Sequence, residues 1–107
     1  MGRNKLIEEF TNLVAVALRH RIGSIVNENE LYAQKYAKDA EVLLYQAKKI
    51  ILGIKFSIYE SKEIITSLKI KLKKELESKP FLKERKFEIM ESEMNKALKE
   101  LELAYED

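Results

Sequence analysis

Between Ala33 and Glu75 the chain advances in steps of four and three residues without a slip. The positions are Ala33, Ala37, Ala40, Leu44, Ala47, Ile51, Ile54, Ile58, Ser61, Ile65, Leu68, Leu72 and Glu75, all apolar except Ser61 and Glu75. A period of 3.5 residues is the signature of a helix that buries one seam. The seam passes Gly53 in phase, and that glycine is flanked by Ile51, Leu52, Ile54 and Phe56 rather than by polar turn formers. A turn would reset the register and bring polar residues with it. Glycine within a helix costs about 1 kcal/mol against alanine, which a long packed helix tolerates. The pattern therefore predicts one helix from about 28 to 78, some 50 residues and about 75 Å long, with a kink at Gly53 compatible with it.

Two shorter helices flank it. Leu6, Ile7, Phe10, Leu13, Val14, Ala17 and Leu18 make one apolar face over about 3–22, with Gly23 placed as a left-handed C-terminal cap. Asn27 and Glu30 have the spacing of a capping box and set the start of the long helix near Glu28. Pro80 disfavours helical geometry at Lys79, so the long helix should end near Ser78 and another should run over about 80–105. Phe87, Met90, Met94, Ala97, Leu101 and Ala104 form its seam. With three glycines and one proline in 107 residues, few turns are available, and a single all-α domain over 1–107 follows.

A second apolar stripe, Val42, Tyr45, Leu52, Phe56 and Tyr59, lies largely opposite the first and is centred on Gly53. A helix apolar on two faces is covered on both. The flanking helices are each near half the length of the middle one, so a second copy crossing antiparallel at Gly53 would complete a four-helix cross-section. The expected oligomer interface is Tyr45, Leu52, Gly53, Phe56 and Tyr59, in an elongated homodimer. The alternative is a tight bend at Gly53 and a monomeric four-helix bundle.

Hydrophobic residues make up 46% of the chain, too many for a disordered tail, and charged residues make up 36%, nearly balanced at +2. Lysine outnumbers arginine 16 to 4, a bias shared by heat-adapted proteomes and by AT-rich genomes. No cysteine is present, which excludes disulfides, thiolate nucleophiles and cysteine-ligated metals. His20 is the single histidine, and it stands between Arg19 and Arg21 with Ala17 three residues before it, so no Glu-x-x-His ligand pair exists. Three glycines cannot build a phosphate-binding loop. The N-terminal apolar run Leu13–Leu18 is too short for a secretory signal, and no stretch approaches membrane-spanning length. These features predict a cytoplasmic protein that is not an enzyme and has no catalytic residues, metal or other cofactor.

Charge is unevenly distributed. Lys69–Lys86 holds eight basic residues against three acidic ones, whereas residues 87–107 hold seven acidic and two basic. Lysines at the end of a helix suit its dipole, but Lys83, Arg85 and Lys86 would open the last helix, where the dipole favours anions. Two readings of this tip compete. Its cations either pair with acidic helices or contact phosphate, through Lys73, Lys74, Lys79, Lys83, Arg85 and Lys86 with Arg19 and Arg21 as a second patch. The overall charge falls short of a dedicated nucleic-acid binder. The sequence thus points to a helical scaffold or adaptor acting through homo-oligomerisation and a protein partner, with a nucleic-acid-associated helical subunit as the alternative.

Overall fold

The computed structural model describes residues 3–26, 31–78, 85–101 and 103. All regular structure among them is helical: α1 (Arg3–Val26), α2 (Ala33–Ile50), α3 (Ile58–Glu77) and α4 (Arg85–Glu100). The helix expected over about 28–78 is two helices. Its proposed start at the Asn27/Glu30 capping box lies outside the described residues, as does Pro80. The Cα atoms span 40 × 24 × 24 Å, well short of an unbroken 50-residue helix.

α1 is the central element, and α2, α3 and α4 all pack on it. Its apolar face continues beyond the expected end. Ile22 and Val26 are buried, and Gly23 is a buried helical residue rather than a left-handed cap. Burial of Val26 extends the helix by one turn. Phe10, Val14, Leu18 and Ile22 on α1 meet Leu44 and Ala47 of α2, Ile64, Leu68, Leu72 and Leu76 of α3, and Met94, Ala97 and Leu98 of α4 in one core. α3 runs parallel to α1. Arg3 Nε lies 2.7 Å from Glu60 Oε2 at one end, and Arg19 Nε 3.2 Å from Glu75 Oε1 at the other. Between them the buried Thr11 hydroxyl donates to the Ile7 carbonyl (2.8 Å) and accepts from Lys71 Nζ (2.6 Å).

The chain turns at Gly53. α2 ends with Lys48 and Lys49 in its last turn, where the helix dipole favours cations. The Leu52 N–H then reaches back to the Lys49 carbonyl (3.3 Å) and the Ile54 N–H to the Ile51 carbonyl (3.0 Å). Gly53 has φ +79°, the left-handed conformation that side chains disfavour. Ser57 starts α3 with a full capping box: its hydroxyl accepts from the Glu60 N–H (3.1 Å), and the Glu60 carboxylate accepts from the Ser57 N–H (2.9 Å). Arg3 clamps the turn from α1, donating to Glu60 and to the Lys55 carbonyl (3.1 Å), with its guanidinium 5.4 Å from the Phe56 ring centroid.

The Ser57 N–H bond, with Arg3 second, holds the Glu60 carboxyl below its ordinary 4.5. A lowered carboxyl stabilises the fold in its ionised state. That contribution is complete above pH 4.5 and is lost as pH falls through the lower folded value. Ser57→Ala removes the cap itself and should lower the unfolding free energy by about 1 kcal/mol at neutral pH in a urea titration. An unchanged midpoint would mean that Arg3 alone sets the start of α3.

Candidate interaction surface

The turn changes the environment of the second apolar stripe. Tyr45, Leu52 and Tyr59 are 61%, 76% and 86% exposed, and Val42 is also exposed. Phe56 is half-buried and packs against the core. Gly53 faces open space, since an added Cβ would meet no described atom within 4 Å. The antiparallel crossing of two continuous helices at this glycine is therefore unavailable to a chain that bends there. Ile58, a seam position in the sequence pattern, is exposed as well, and the buried face of α3 passes instead through Ile64, Leu68, Leu72 and Leu76. Leu52, Gly53 and Phe56 share an open concavity of about 440 Å³ with Leu101 and Leu103 beyond α4. Tyr45 lines a neighbouring one of about 320 Å³, and Lys48 and Leu101 belong to both. Tyr59 lines neither.

Among the described basic residues, several are engaged in ion pairs within the fold. Arg19 pairs with Glu75, and Arg21 with Glu100 at 3.1 Å, so the basic end of α1 ties helices together. Lys69 lies 4.0 Å from Glu91 across the α3–α4 contact. Lys73, Lys74 and Arg85 are exposed, whereas Lys86 is buried, its ammonium 5.1 Å from the Phe87 ring centroid. Lys79 and Lys83 lie outside the described residues. Phe87, expected in the α4 seam, is 42% exposed, while Lys86 and Glu93 are buried on that helix. Glu93 is held by Lys96 at 3.1 Å, an i,i+3 pair. The sequence pattern did not reveal this tilt of the α4 face.

His20 is half-buried, its Nδ1 2.9 Å from the Val16 carbonyl and its ring edge-on to Tyr36, which stacks on Tyr32. Among the described residues no three His, Asp or Glu side chains come together as a metal site. No described helix is long and apolar enough to cross a membrane. Fold and surface together define an all-helical chain built around a central helix, with apolar side chains left in solvent along α2 and the turn. Comparisons with known families, characterised proteins and solved structures found no match to it.

Proposed function

We propose that the chain is a non-catalytic helical scaffold that works by association, with a second copy of itself and through it with other protein. The observation that carries this reading is the exposure of Val42, Tyr45, Leu52, Ile58 and Tyr59 on α2, the turn and the start of α3. Scattered apolar residues are ordinary on a surface, but a group rimmed by polar ones marks an interaction site. Lys38, Lys48, Lys49, Lys55 and Lys62, all of them exposed, are interspersed with these apolar residues along the chain. The phosphate-binding reading has less support, because Arg19 and Arg21 are already paired with carboxylates.

Light scattering across a concentration series tests the proposal. The mass should rise above that of the 12.5 kDa chain, and serine at Tyr45, Leu52 and Tyr59 together should return it to the monomer while helicity is kept. A wild-type chain that stays monomeric throughout would remove self-association from the proposal.

A further inference from the structure

The exposed faces of α2 and α3 carry two matching stripes. On α2 the outward positions in four-three spacing are Leu31, Lys35, Lys38, Val42, Tyr45 and Lys49, all exposed. Leu31 precedes Ala33, but Tyr32 already has helical dihedral angles and its carbonyl accepts from the Tyr36 N–H at 2.9 Å, which carries the spiral back to it. On α3 the corresponding positions are Tyr59, Glu63, Thr66, Ile70, Lys73 and Glu77, also all exposed. Each stripe spans about 27 Å at 1.5 Å per residue. The α3 stripe borders a shallow groove of about 480 Å³ in which Glu63, Thr66 and Ile70 stand beside Ser67, Lys62, Lys71 and Lys74.

We infer that α2 of one copy docks in parallel on α3 of a second copy, with each residue opposite the one 28 positions later. This inference rests on the self-association reading above and specifies its geometry. In this register Leu31 meets Tyr59, Lys35 meets Glu63, Lys38 meets Thr66, Val42 meets Ile70, Tyr45 meets Lys73 and Lys49 meets Glu77. Two layers are apolar, two are opposite charges, one sets Lys73 beside the Tyr45 ring, over which the same chain's Lys49 already stands at 4.7 Å, and one joins a lysine to a hydroxyl. No layer opposes like charges.

Other pairings are poorer. Parallel α2 on α2 sets each lysine against its own copy, and parallel α3 on α3 does the same with Glu63 and Glu77. Moving the α2–α3 register by one heptad sets Val42 against a carboxylate, Glu63 in one direction and Glu77 in the other. The best antiparallel register of α2 on α3 closes four layers and leaves Tyr45 and Lys49 unmatched. Antiparallel α3 on α3 closes six layers but sets Tyr59 against Glu77 and makes no layer of two hydrophobic side chains. Charged residues within a seam weaken the pairing but fix its register, so the interface is specific and salt-sensitive. The contact can close reciprocally, with α2 of each copy on α3 of the other about a two-fold axis, or repeat head to tail into a larger assembly.

Charge exchange tests this. Sedimentation velocity on the full chain at low salt should show mass rising with concentration to the dimer or beyond, and 0.5 M salt should weaken the association, because screening at that strength acts within several ångströms. K35E/K49E and E63K/E77K should each self-associate at least tenfold more weakly, and an equimolar mixture of the two should recover wild-type association. K5E/K99E, on exposed positions of α1 and α4, should behave as wild type, and circular dichroism confirms that every variant is helical. If the wild type associates but the double variants do so equally well, or their mixture fails to recover, the register is wrong and self-association stands. A wild type that remains monomeric overturns both and leaves the stripes to a partner of different sequence.

Discussion

Phe10→Ala is expected to lower the unfolding free energy by about 3–5 kcal/mol, the range for emptying a buried aromatic site. Phe10 has no exposed surface, and it belongs to α1, the helix on which the other three pack. The vacated volume cannot be filled by a local shift of one neighbour, because core residues from four helices surround that axis. A domain of this size has a total stability of about 5–15 kcal/mol. The substitution should therefore leave a chain that is marginal at 25 °C, and a urea titration followed by circular dichroism measures the loss. A change below about 1 kcal/mol would mean that α1 is not the element the fold is assembled on.

The apolar face of α1 was legible, but its central place was not, because the periodicity made the long middle helix the axis and α1 a flanking helix. Ile7, Phe10, Val14, Ala17 and Leu18 of that face are buried and Leu6 and Leu13 partly so; on the first half of the long seam Ala33, Ala40, Leu44, Ala47 and Ile51 are buried, whereas Ala37 is exposed. The break in that seam was hidden by arithmetic. The connection between Ile50 and Ile58 is seven residues long, one heptad, so the pattern resumes nearly in phase on its far side. Leu68 and Leu72 are buried as a continuous helix would have them, while exposed Ile58, half-buried Ile65 and buried Ile64 and Leu76 show that the face on α3 has moved off the expected seam.

The turn also lacks the polar composition that usually marks one. Ile51 is buried and Phe56 packs on the core, because this turn closes the end of the bundle. One local signal did contradict the long helix: Ser57 and Glu60 carry the S-x-x-E spacing of a capping box ahead of an apolar run. The exposed stripe was found in the sequence but read as buried, since periodicity reports a face without saying what covers it. The ion pairs of Arg19 and Arg21 join residues 56 and 79 positions apart, and no spacing rule reaches that far.

Gly53→Val should cost about 2 kcal/mol, and the cause would be backbone strain alone. At φ +79° a β-branched side chain crowds its own peptide groups, a penalty of about 1–2 kcal/mol for any side chain and more for a branched one. Packing contributes nothing, since an added Cβ meets no described atom within 4 Å. The distinction yields an internal control. Gly53→Asn adds similar bulk but tolerates the left-handed region, so it should cost much less than valine. A continuous helix at this point reverses the expectation: both substitutions would then stabilise, because any side chain there restricts the unfolded chain more than glycine does. Paired urea titrations of the two variants decide between these outcomes. Valine well below asparagine fixes the turn at Gly53 in solution, and two variants more stable than wild type would show an unbroken helix through it.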